Sequence, residues 1–276
     1  MKYTLALTLA LTLALTLALT AFSAAAQETM ITELESGDKW LRVGFANGSQ
    51  DIDLKSQLTG AKASEKTDSD IADISFIMAL NPTSDFTPGL GFSVSKVEGE
   101  DEDDSAILFD LSAGGLFKAT AEQTYAVFGT FSSSDDDNVR DSIQLNMNVQ
   151  TSSIGNSIYN EVAIDAEYDF KNNGTSGGHS VDISTRTRFS LNPAVEFETF
   201  VGLALKTDTD MPEDITVSND PEFTLGGQLN INLVNFTTVE VGVFKSFASG
   251  VVDYSGHKVD ADVDTTVTAI SLTTRI

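Results

Sequence analysis

Residues 179–206 read HSVDISTRTRFSLNPAVEFETFVGLALK. From Val181, every second residue is apolar or Thr: Val181, Ile183, Thr185, Thr187, Phe189 and Leu191. The alternate row is Ser180, Asp182, Ser184, Arg186, Arg188 and Ser190. Asn192-Pro193 interrupts, and the alternation then resumes. Val195, Phe197, Thr199, Val201, Leu203 and Leu205 share one face, with Glu196, Glu198, Gly202 and Lys206 on the other. A period of two puts successive side chains on opposite faces and marks β-strands. Each run is about ten or more residues, longer than most soluble strands and enough for a tilted strand to cross a bilayer. Pro193 supplies the fixed φ that a tight turn accepts. The period does not say which face is inside. A soluble sandwich would bury the apolar row, whereas a membrane barrel would turn it to lipid.

The rest of the chain bears on that choice. The same alternation predicts further strands at 40–47, 71–80, 86–97, 106–117, 125–131, 143–149, 162–170, 223–233, 239–243 and 265–276, about twelve in all. Their connections alternate in length. Polar, mostly acidic stretches at 48–70, 98–104, 132–140, 171–178, 207–222 and 248–264 read as long loops, and each short connection has only a few residues. A Greek-key sandwich has no reason to sort its loops by parity. A barrel threaded through an outer membrane does, with short periplasmic turns and long exterior loops.

Composition narrows the function classes. The 276 residues carry 41 acidic against 16 basic side chains, a net charge of −25, which disfavours a nucleic-acid partner. There is no cysteine, so no disulfide framework or thiolate metal site is expected. Lys2, the apolar run 5–22 with its repeated Leu-Ala-Leu-Thr unit, and Ser23-Ala24-Ala25-Ala26 form an export signal. The alternative is a retained anchor, but the Ala-rich exit favours cleavage before Gln27. The expected organisation is a signal peptide over 1–26, a periplasmic tail over 27–39 and a barrel over 40–276.

On these residues the chain resembles a Gram-negative outer-membrane β-barrel protein of the small porin-like class. The final strand, with Ile270, Leu272 and Ile276 on one parity, resembles that family's C-terminal signature, although such chains usually end in Phe or Trp. Phe takes most of the places of the usual Trp and Tyr girdles. The expected fold is all-β: one transmembrane, antiparallel, up-and-down barrel of about twelve strands in the cell outer membrane. The resemblance implies membrane lipid, lipopolysaccharide and the barrel-assembly machinery as partners, with small solutes passing through. The sequence leaves the oligomeric state open.

If the apolar row faces lipid, the polar row faces the interior. That row includes Arg42, Asp73, Asp110, Gln144, Asn146, Asn148, Glu167, Gln228, Asn230 and Asn232. The candidate constriction is Glu161, Asp165, Asp182, Arg186, Arg188, Glu196 and Glu198. Pairing across Asn192-Pro193 sets Arg188 opposite Glu196 or Glu198, and Glu161 and Asp165 are expected within reach of the same arginines. Such a set either filters solutes by charge or forms a self-neutralised ladder. The acidic stretch 98–104 and Asp208 with Asp210 offer hard oxygen ligands, but no EF-hand spacing, so no metal is assigned. The two histidines, His179 and His257, sit at strand–loop borders, and Ser180 beside His179 points to the opposite face, the wrong geometry for a nucleophile–base pair. The expected function is a porin-like channel for small polar or cationic solutes, without cofactor and not an enzyme. The alternatives are a non-conducting structural, adhesive or divalent-cation-binding barrel, then an outer-membrane hydrolase working through His257.

Overall fold

The computed structural model describes residues 37–276 except 81–84, 100–104, 121–122, 137–140, 153–157, 171–176, 212–214, 234–235 and 255. The export signal, most of the tail and parts of the acidic loops lie outside the described residues. The strands are β1 (Lys39–Ser56), β2 (Lys62–Ala79), β3 (Phe86–Glu98), β4 (Ser105–Lys118), β5 (Gln123–Ser134), β6 (Ser142–Ser152) and β7 (Ile158–Asp169). They continue with β8 (Gly178–Asn192), β9 (Val195–Lys206), β10 (Thr209–Met211), β11 (Ile215–Asn219), β12 (Glu222–Asn232), β13 (Thr237–Tyr254) and β14 (His257–Arg275). Each of β1 to β8 pairs with the next, β9 pairs with β12, and the order continues through β13 and β14 back to β1. Twelve antiparallel strands thus close on themselves and leave no edge along the barrel wall. The short hairpin of β10 and β11 pairs with the upper part of β13.

Closure decides which face is inside. Phe45, Ile74, Leu111, Ile143, Val162, Ile183 and Leu203 are exposed on the outer wall, while the alternate residues of the same strands turn inward. An apolar band on the outside of a closed barrel is the surface a bilayer solvates. Aromatic side chains border it. Phe86 and Phe117 stack at 4.6 Å towards the near rim, where β1 begins and β14 ends. At the far rim Tyr168 meets Phe170 at 5.4 Å and His179 at 4.9 Å. The β8–β9 hairpin is as expected, with a bulge between Ser190 and Asn192 and the Ala194 N–H donating to Asn192 Oδ1.

Two expected loops are instead strand. Residues 48–70 complete β1 and β2, which turn through 57–61, and residues 248–264 complete β13 and β14, which turn at Gly256. Gly60 and Gly256 take φ of +69° and +83°, a region open to Gly at little cost. These four strands run 18 or 19 residues, against 11 or 12 in β5, β6, β7, β9 and β12. At about 3.3 Å per residue, one side of the wall stands roughly 20 Å taller along the strands. On β1 the outward row passes from Val43 and Phe45 to Asn47, Ser49, Asp51 and Asp53, while the inward row gains Ile52, 1% exposed. Beyond the apolar band the outside meets water, so the polarity of the two rows inverts.

Candidate functional site

The inward rows bring ionisable groups together at two places. On β8 and β9, Glu198 lies between two guanidinium groups. Its Oε1 is 2.8 Å from Arg186 Nε and its Oε2 is 3.2 Å from Arg188 Nε. Arg188 also stands 3.9 Å from Glu196, which accepts a 2.9 Å hydrogen bond from Ser190 Oγ. Register places Arg188 opposite Glu198, one of the two partners expected, and Glu161 opposite Arg186. Glu161, Arg186, Arg188 and Glu198 are all more than nine-tenths buried. Arg186 also lies 5.9 Å from the Phe200 ring centroid, close enough for a cation–π attraction.

Asp165 and Asp182 lie on the same inward rows of β7 and β8. Register sets them opposite each other, four residues along β8 from Arg186 towards the far rim, and Asp165 accepts a hydrogen bond from Asn146 Nδ2. Beyond Asp182, Lys206 Nζ is 2.5 Å from Glu222 Oε2.

The second group was not singled out from sequence. Arg42 Nη1 is 2.8 Å from Asp73 Oδ2, and Arg42 Nε is 3.5 Å from Glu240 Oε2. Ser75 donates to Asp73 at 3.3 Å, Ser271 to Glu240 at 2.6 Å, and Thr273 to Glu240 at 3.4 Å. This network stitches β13, β14, β1 and β2 where the two ends of the barrel chain meet. A Cβ on Gly44 would stand 2.1 Å from Asp73 Oδ1, so the bare glycine lets the ion pair lie flat on the wall. Glu240 was readable: it alternates with Val239 and Val241, on the parity that faces inward.

The interior is not polar throughout. Ile77, Ala79, Leu116, Ala126 and Phe128 form a buried cluster near the near rim, with Trp40 packed on it. Ala46, Ile71, Val97, Val267 and Ala269 form another towards the far rim, against Leu108. The Arg42–Asp73 pair lies between them along β1 and β2. The signal was present in β2, where Ile71 and Ile77 share a row with Asp73 and Ser75. Outside, the tall hairpins carry an acidic face on which Asp51 stands opposite Asp264 and Asp53 opposite Asp262. His179 and His257 are exposed at the far rim, His179 beside Tyr168 on the outer wall and His257 opposite Tyr254.

The arrangement defines an outer-membrane-type β-barrel whose interior carries two buried ion networks. No protein-family model and no curated protein matches the chain. Solved structures do. The COG4313 outer membrane channel from Pseudomonas putida F1 superposes with a TM-score of 0.64 at 12% identity, over 89% of this chain and 97% of that one. The toluene transporter TodX of P. putida gives 0.54 at 8% identity, over 87% and 90%. The translocator domain of the autotransporter NalP from Neisseria meningitidis gives 0.53 at 10%, over 92% and 96%. At these identities the likeness is one of fold. The neighbours named here are an outer membrane channel, a transporter and a translocator domain.

Proposed function

We propose that this protein is an outer-membrane channel that passes small solutes through the barrel interior, with the near rim in the periplasm and the tall hairpins outside the cell. The observation that carries the reading is the pairing of an apolar band outside a closed barrel with an interior row of charged and amide side chains. Interior carboxylates (Asp73, Asp110, Glu161, Asp165, Asp182, Glu196, Glu198, Glu222 and Glu240) outnumber Arg42, Arg186, Arg188 and Lys206. Carboxylates at close quarters attract cations and repel anions, so the channel prefers cations. The likeness to solved outer-membrane channels supports this reading, as does the position of Glu198 between two arginines, where a passing charge would meet them. Planar-bilayer recording of the purified protein tests it. Discrete, cation-preferring conductance steps are expected, and silence from a correctly folded barrel would overturn it.

A structural barrel is the second reading, favoured by one observation. Phe128 and Asn148 are 1% exposed and Glu198 3%, so inward side chains fill much of the space that solutes would use. The same recording separates the two. Recovery of the protein without detergent from a soluble periplasmic fraction would end both.

A further inference from the structure

The interior is packed unevenly around its circumference. On β1, β2 and β3 every inward residue from Arg42 to Ile52, from Ser69 to Ala79 and from Gly89 to Val97 is buried. On β9, β12 and β13 the inward rows stay partly open. Thr224 and Ser246 face each other across the ladder, and both are half-buried. One row closer to the near rim, Phe200, Gly226 and Phe244 stand side by side and are half-buried too. Gln228 follows in the next row, Glu196 in the one after, and Asn232 with Thr238 in the last. Each row on this side therefore keeps at least one half-buried inward side chain, from mid-wall to the near rim.

Two phenyl rings border this file, and they are packed unlike Phe128. That ring is 1% exposed within an apolar cluster. Phe200 and Phe244 instead meet edge to face, with centroids 6.1 Å apart, in a row whose member between them is Gly226. Each ring also occupies the space that a side chain would take on a glycine of its own strand. A Cβ on Gly202 would stand 3.2 Å from Phe200 Cζ, and one on Gly242 would stand 2.9 Å from Phe244 Cε2. Glycine inside a strand weakens it and marks a place where another group comes close. Here that group is a phenyl ring drawn back against the wall. At both glycines the nearest neighbours are side-chain atoms, so on substitution by alanine the ring, not the backbone, must give. It would move off the wall and into the file.

We propose that solutes cross this barrel along the β9–β12–β13 side, and that Phe200 and Phe244 set the width of that path, held back by the bare backbone of Gly202 and Gly242. The inference rests on the channel reading and deepens it. It names the wall that solutes follow and the residues that limit their size, pore diameter being one of the means by which channels select.

The chain has no cysteine, so a single introduced thiol reports on one position. Thr224→Cys and Ser246→Cys probe the open side. Ser93→Cys and Ser112→Cys probe residues 2% and 1% exposed on β3 and β4, and β4 lies six strands from β12 in either direction round the barrel. Each full-length variant, folded in detergent, is treated with a charged, water-soluble methanethiosulfonate, and modification is read as a mass shift. Thr224→Cys and Ser246→Cys should be modified, and Ser93→Cys and Ser112→Cys should not. In planar bilayers, modification of Ser246→Cys should lower the unit conductance. Gly242→Ala should lower it as well, and Gly242→Ala/Phe244→Ala should restore it to at least the wild-type value. Gly202→Ala with Phe200→Ala carries the same expectation and serves if the first pair does not refold. Modification of all four positions alike, no modification at 224 and 246, or a conductance indifferent to Gly242→Ala would overturn the proposal. So would a loss in Gly242→Ala that removing the ring leaves in place. Labelling needs no conduction, so conductance with modification only on the β3–β4 side overturns this inference alone. The expected labelling on a barrel silent in bilayers overturns the channel reading, and this inference falls only with it.

Discussion

Glu198→Gln is the most informative single change, because one carboxylate holds two arginines. Glu198 is 3% exposed, and its oxygens are 2.8 and 3.2 Å from Arg186 and Arg188. Hydrogen bonds to charged groups contribute about 1.5–3 kcal/mol each, and removing one partner of a buried pair costs about 3–5 kcal/mol. The two routes agree. Gln keeps one acceptor but turns an NH2 towards the second guanidinium, so the loss should fall near the lower end, about 3 kcal/mol. Urea unfolding of the barrel in lipid vesicles, read by heat-modifiable gel migration, measures it. The same variant leaves the interior one unit more positive. Reversal potentials in a salt gradient should therefore rank cation preference as Arg186→Gln/Arg188→Gln first, wild type second and Glu198→Gln last. Three coincident potentials, or a Glu198→Gln barrel as stable as wild type, would refute the idea that these residues form a charged constriction.

Four further outcomes are expected. Gly44→Ala should destabilise by about 1.5–3 kcal/mol, the worth of one charged hydrogen bond, because its methyl displaces Asp73 from Arg42. Gly129→Ala, whose nearest neighbour is a backbone oxygen at 3.9 Å, should be neutral or stabilise by up to about 1 kcal/mol in the same unfolding assay. Leu111→Arg, on the outer wall at 60% exposure, should cost about 2–4 kcal/mol in bilayers if that face meets lipid at mid-depth, measured against Leu111→Ala. Cation preference should fade as ionic strength rises, since the acidic hairpin faces act only within a Debye length of roughly 8 Å at physiological salt, and a preference independent of salt would place its origin wholly inside the barrel.

The sequence made the barrel legible because its strands report lipid with a period of two. The interior was harder to read, and the reason is physical. Polarity says what a face touches, and an inward row touches whatever the opposite wall supplies. Ile71 beside Asp73, or Phe128 beside Thr130, cannot be placed from its own strand, because its partners arrive from strands distant in sequence. Nearest-neighbour pairing was recoverable, as Arg188 with Glu198 shows, because a tight turn fixes register. The tall hairpins failed for a different reason. At 48–70 and 248–264 the alternation continues, but the row that faced lipid becomes Asn47, Ser49, Asp51 and Asp53, while Ile52, Ala261 and Val263 turn inward. A reader following apolar residues on a single parity sees the pattern stop at Phe45 and infers a loop. The strand itself goes on, and what ends there is the bilayer. The position where the two rows exchange polarity therefore marks the membrane boundary on β1 more sharply than any count of residues, between Phe45 and Asn47.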